Sequence, residues 1–93
     1  ALDEREVVNY IAFRLQAVGA PPPPRAIFSL DACSRIAWAS GGIPRMINIL
    51  CDTALVYGFA RSERSISASL VEEVIADKQQ FSIFPLKDLT AAR

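Results

Sequence analysis

Ninety-three residues make one small domain, able to bury only about 60 to 65% of the surface its unfolded chain exposes, yet 52% of those residues are apolar. Ten acidic and ten basic residues cancel to a formal charge of zero, which argues against nucleic-acid or membrane binding driven by electrostatics. No histidine is present, which excludes histidine general bases, Ser-His and Cys-His nucleophile pairs and every imidazole zinc site.

The chain opens on Asp3 with Glu6 three residues later, the spacing of a capping box. Val7, Val8, Ile11, Leu15 and Val18 then recur at helical intervals. This first helix is expected to stop at Gly19, and the run Pro21-Pro22-Pro23-Pro24 that follows makes a stiff connector, because proline lacks an amide donor and restrains its predecessor. Ser29 caps a second helix from Leu30 to about Ala39, with Ala32, Cys33, Ile36 and Ala37 facing inward and Trp38 off that face. After the turn Ser40-Gly41-Gly42, Pro44 suits the first turn of a third helix, where an amide is unpaired anyway, and the helix runs to about Ala60. A fourth helix starts at Ser67, with Ile66 and Val71 spaced as a hydrophobic staple, or at a competing cap, Ser69 with Glu72. Leu70, Val71, Val74 and Ile75 form its apolar face, which fades near Gln79. No strand alternation occurs.

The expected fold is all-α, a small four-helix bundle-like domain over residues 1–80. Residues 81–93 form a tail or linker whose stretch Phe81 to Leu86 is apolar enough to dock on this core or on a neighbouring domain. Cys33 and Cys51 lie inside helical patterns without CxxC spacing and are expected to be buried thiols. No apolar run approaches the ~18 residues that span a bilayer, and the charged opening is not a signal peptide. A soluble cytoplasmic chain is expected, one that reaches the inner membrane only through parts of the protein outside it. Because it opens without methionine, it reads as a piece of something larger.

At 100° per residue the third helix divides into two faces. Ile43, Ile47, Leu50, Cys51, Ala54 and Gly58 make the core side; Arg45, Asn48 and Asp52 lie opposite with Ile49 and Val56. A generic surface helix would carry Arg45 and Asp52 as solvated charges. The block from Ser40 to Asp52 nevertheless resembles the sensor 2 segment of AAA+ ATPases, most closely the general secretion pathway A type, also called ExeA-like: a small-residue turn, Pro44-Arg45 at a helix start, then Ile47-Asn48 and Cys51-Asp52. The resemblance extends over roughly Leu2 to Asp77 and includes Tyr10, Arg14, Leu15, Gly19, Phe28 and Ile66. The proline run departs from it.

That resemblance implies a C-terminal helical lid whose P-loop and acidic Walker B strand lie upstream, outside these residues. No Gly-rich lysine motif is present, so these residues alone are not expected to hydrolyse ATP. By the same resemblance Arg45 is the sensor 2 arginine at the phosphates of ATP, whose Mg the missing catalytic domain binds. Ile43 and Pro44 wall the base, and Gly41 and Gly42 allow a tight turn and a close approach of backbone to nucleotide. Asn48 and Asp52 orient Arg45 or the domain interface. The implied partners are the chain's own upstream P-loop domain, neighbouring ATPase subunits and an envelope or secretion assembly. The alternative is a DNA-binding module of a transposition-type ATPase, since helix two, the turn and helix three have helix-turn-helix proportions and Arg45 and Asn48 are base-reading residue types. Zero net charge weighs against it. A third alternative is a purely protein-binding helical domain.

Overall fold

A computed structural model of the chain describes residues 1–17, 19 and 27–81. Four helices account for most of them: α1 (Glu4–Ala17), α2 (Leu30–Ser40), α3 (Pro44–Ala60) and α4 (Ala68–Phe81). No strand forms among the described residues, which confirms the all-α expectation. An isolated parallel bridge between Phe28 and Ile66 ties the entries to α2 and α4 together. Ser29 N–H donates to the Ile66 carbonyl at 3.1 Å, and Ile66 N–H donates to the Ile27 carbonyl at 2.8 Å.

Local chemistry sets most helix ends. Asp3 and Glu6 form the reciprocal capping box, Asp3 N–H donating to Glu6 Oε1 at 2.9 Å and Glu6 N–H to Asp3 Oδ1 at 2.8 Å. Ser29 Oγ accepts from Ala32 N–H at 3.0 Å, and Ser67 Oγ from Leu70 N–H at 3.2 Å, so Ser67 and not Ser69 caps α4. Pro44 occupies the first turn of α3, and α1 ends at Ala17, with Gly19 beyond it at φ +90°. The proline run, Val18 and residues 82–93 lie outside the described residues, and so do the roles expected for the connector and for the Phe81 to Leu86 stretch.

The core is assembled from all four helices: Val7 and Ile11 of α1, Ile36 of α2, Ile47, Leu50 and Ala54 of α3, and Leu70, Val71, Val74 and Ile75 of α4. Each large apolar side chain fully removed from water contributes about 1.5 to 3 kcal/mol. Ile66 and Val71, the staple pair, are both buried. Several positions differ from the helical-wheel expectation. Ile43 is 45% exposed because it caps α3 in an extended conformation, φ −84° and ψ 116°, so helical spacing does not apply to it; Met46 is the buried residue of that first turn. In α2 the inward position belongs to Ala39, whereas Ala37 is half-buried, and Trp38 packs partly against the core.

Cys33 and Cys51 are both free and buried. Burial pushes the Cys33 thiol up to about 11 and the Cys51 thiol up to about 12, the latter aided by its proximity to Cys33. Both thiols are thus held neutral, which fits a packing role and not a nucleophilic one. An unfolded thiol ionises near 9.0, so above that pH the unfolded chain releases protons that the folded chain keeps, and stability falls as pH rises from about 9 towards 11 or 12. Urea midpoints measured at pH 8 and pH 10.5 should show this decline, and Cys51→Ala should flatten it.

Candidate functional site

The turn between α2 and α3 is built from small residues, and the N–H groups of Gly41, Gly42 and Ile43 all donate within it. Gly41 ends α2 in the left-handed region at φ 64° and ψ 20°, its N–H directed to the Trp38 carbonyl. Ser40 is buried, donating from Oγ to the Ala37 carbonyl at 3.3 Å and accepting from Gly42 N–H at 3.1 Å. Ile43 N–H closes the turn on the Ser40 carbonyl at 3.2 Å.

Gly42, also left-handed at φ 75°, is where another piece of backbone comes close. That backbone is the chain's own: Leu2 N–H donates to the Gly42 carbonyl at 2.8 Å, and a Cβ on Gly42 would lie 2.0 Å from the Leu2 carbonyl oxygen. The space that glycine opens here is therefore taken by Leu2, a neighbour that helical spacing and turn chemistry do not reveal.

α3 begins differently from the other helices. Its cap residue, Ile43, supplies no side-chain hydrogen bond, whereas Asp3, Ser29 and Ser67 cap α1, α2 and α4. A helix start leaves its first amides without intrahelical partners and carries partial positive charge. Arg45 stands in this first turn, exposed, and no hydrogen bond or ion pair engages its guanidinium among the described residues. Ile43 and Pro44, both exposed, flank it. Arg45, Gly42, Ile43 and Pro44 are thus contiguous at one end of α3, three of them with side chains open to solvent.

Asn48 and Asp52 do not reach back to Arg45; they bind α1. Tyr10 OH donates to Asn48 Oδ1 at 2.9 Å, and Arg14 pairs with Asp52 at 3.7 Å across a largely solvated gap. Four residues along α1 correspond to four along α3 in the same direction, so the two helices run parallel, and Asn48 and Asp52, expected to orient Arg45 or the domain interface, form a polar seam between α1 and α3 and not a contact with Arg45. Beneath the seam lies a groove of about 180 Å³ lined by Ile11, Arg14, Leu15, Cys51, Asp52 and Leu55.

The other flank of α3 meets α4. The hydroxyl of Tyr57 donates to Asp77, which raises the Tyr57 pKa, and Arg61 grips Glu73 through two hydrogen bonds of 2.8 and 2.9 Å, holding that carboxyl below its ordinary range. Between the two flanks α3 keeps an open face bearing Arg45, Ile49, Asp52, Val56 and Phe59; Val56 is 65% and Phe59 87% exposed. Phe59 was not legible as part of this face, although its spacing of seven residues from Asp52 and three from Val56 carries the signal. No cluster of three or more metal-ligating side chains occurs among the described residues, and none of their helices is long and apolar enough to cross a membrane.

Over 65 residues, 70% of its length, the chain is 43% identical to General secretion pathway protein A of Aeromonas hydrophila. The similarity is thus to part of a secretion-pathway protein. The match takes in 11% of that protein, so the chain spans about a tenth of the relative's length. No family model matches the chain, and no solved structure matches it. A compact four-helix unit with similarity to a general secretion pathway A protein agrees with the kinship inferred from the Ser40 to Asp52 block.

Proposed function

We propose that this chain is the nucleotide-sensing lid of an AAA+ ATPase of the general secretion pathway A type, in which Arg45 reaches the phosphates of ATP held by an upstream P-loop domain. The observation that carries the reading is the uncapped start of α3 with an exposed, unengaged arginine in its first turn. An always-charged planar fork beside free helix amides is suited to phosphate oxygens. The similarity to General secretion pathway protein A supports it, as does the likeness of the surrounding block to sensor 2. In this reading Ile43 and Pro44 border the nucleotide, the open face of α3 turns towards the catalytic domain, and nucleotide state moves the lid by changing the Arg45 contact. ATP is the cofactor, its Mg held by the catalytic domain. Neighbouring ATPase subunits and a secretion or envelope assembly at the inner membrane are the partners.

One arginine and one helix end are too few contacts to hold a triphosphate tightly. The isolated chain should therefore show no ATPase activity, and its ATP affinity by calorimetry should be weaker than micromolar. The deciding experiment is ATP hydrolysis and affinity in the complete protein with Arg45→Ala, alongside thermal melting of the isolated chain carrying the same change. Lost turnover with unchanged melting supports the lid assignment; submicromolar ATP binding by the isolated wild-type chain overturns it.

A further inference from the structure

The start of α3 is held by a different route from the starts of the other helices. A cap side chain accepts a hydrogen bond from the second or third amide of its helix, and Asp3, Ser29 and Ser67 do so for α1, α2 and α4. In α3 the corresponding amides are those of Arg45 and Met46, and the cap residue Ile43 makes no such bond. The backbone one residue earlier is gripped instead. Ser40 Oγ accepts from Gly42 N–H at 3.1 Å, and Leu2 N–H donates to the Gly42 carbonyl at 2.8 Å. The Leu2 bond thus fixes the entry to α3 without occupying either of the two amides that a cap would use.

Leu2 is itself firmly placed. It is half-buried against the core, and the next residue, Asp3, opens the capping box of α1, so no slack separates the Leu2 amide from that helix. Gly42 admits it only for want of a side chain, since a Cβ there would collide with the Leu2 carbonyl. Because α1 and α3 run parallel, the entry to one and the start of the other form a single block, with Arg45 three residues beyond Gly42. We infer that Leu2 is a positioning residue for Arg45: its main-chain N–H holds the Gly42 carbonyl, and through it the first turn of α3, where the guanidinium meets phosphate. This role rests on the lid reading, and Leu2 acts in it through Arg45, touching no nucleotide itself.

Two variants separate the hydrogen bond from the side chain. Leu2→Ala shortens the side chain and keeps the amide donor, whereas Leu2→Pro loses the donor as well. Both are made in the complete protein, and amide exchange without nucleotide is read by mass spectrometry over residues 41–47, with residues 70–75 of α4 as the internal reference. Relative to Leu2→Ala, Leu2→Pro should speed exchange over 41–47 about tenfold while 70–75 changes less than about twofold. ATP affinity by calorimetry should fall about three- to tenfold in Leu2→Pro relative to Leu2→Ala. That loss should shrink to less than about twofold when Arg45 is already alanine, the coupling expected of residues that act through one another. A purely structural residue would give the same loss in both backgrounds, and that result overturns the inference. So does equal exchange or equal ATP affinity in Leu2→Pro and Leu2→Ala, or exchange that rises alike in the two segments. Wild-type ATP affinity in Arg45→Ala alone sinks the lid reading and the Leu2 role with it; an Arg45→Ala loss that Leu2→Pro deepens further sinks the Leu2 role alone.

Discussion

Replacing Gly42 with alanine should destabilise the isolated chain by about 3 kcal/mol, a large share of the ~5 to 15 kcal/mol that holds a domain together. Two costs combine. A side chain at φ 75° is held in the left-handed region, which costs roughly 1 to 2 kcal/mol. The new Cβ would also lie 2.0 Å from the Leu2 carbonyl oxygen, 2.8 Å from its nitrogen and 2.9 Å from its carbonyl carbon. Because these are backbone atoms that cannot swing aside, the entry to α1 must shift, and overpacking of this kind costs about 1 to 3 kcal/mol. For a domain of this size the melting temperature should fall by roughly 12 to 24 °C.

Gly41 supplies the control. It has nearly the same backbone, φ 64°, but nothing lies within 4 Å of its would-be Cβ, so Gly41→Ala should incur the conformational cost alone. The difference between the two melting shifts isolates the Leu2 contact. Deleting Ala1 and Leu2 should then restore much of the loss in Gly42→Ala while doing little for Gly41→Ala, the non-additivity expected of touching sites. Equal losses at the two glycines would show that Leu2 does not rest on the turn.

The contrast between these glycines also marks how far the sequence was legible. Helix boundaries at Asp3, Ser29, Pro44 and Ser67 could be read because each is decided by hydrogen bonds or ring constraints within a few residues. The core stripe of α4 followed for a similar reason, since Leu70, Val71, Val74 and Ile75 all sit inside a regular helix. Ile43 broke the pattern because a cap residue has extended dihedrals, and the 100° rule carries no information one position before the helix begins. What periodicity could not supply was identity across the fold. It placed Asn48 and Asp52 on the outer side of α3 but could not say that Tyr10 and Arg14 would meet them. Nor could it say that the close approach at Gly42 comes from a residue forty positions earlier. The candidate site was legible as a contiguous block, Gly42 to Arg45, and its setting was not.

On the proposed lid reading, Arg45→Ala in the complete protein should lower ATP turnover or ATP affinity by about 10- to 150-fold, the range corresponding to loss of one charge-assisted contact worth about 1.5 to 3 kcal/mol. The fold should be indifferent to the change: Arg45 is exposed in the first turn of α3, contributes nothing to the core, and engages no other described side chain. Its removal should leave circular-dichroism melting of the isolated chain within about 0.5 kcal/mol of wild type. Arg45→Lys should recover only part of the activity, because an ammonium on a flexible stem keeps the charge but not the planar two-pronged donor. Asp52→Ala provides the internal comparison. It lies on the same face but pairs with Arg14, so it should disturb the α1–α3 seam while leaving turnover near wild type. If Asp52→Ala and Arg45→Ala lower activity alike, the open face of α3 acts as a docking surface without a phosphate contact. Wild-type turnover in Arg45→Ala returns the residue to an ordinary solvated charge. A deep loss confined to Arg45, partly restored by lysine and unaccompanied by unfolding, is the pattern that a phosphate-reading arginine requires.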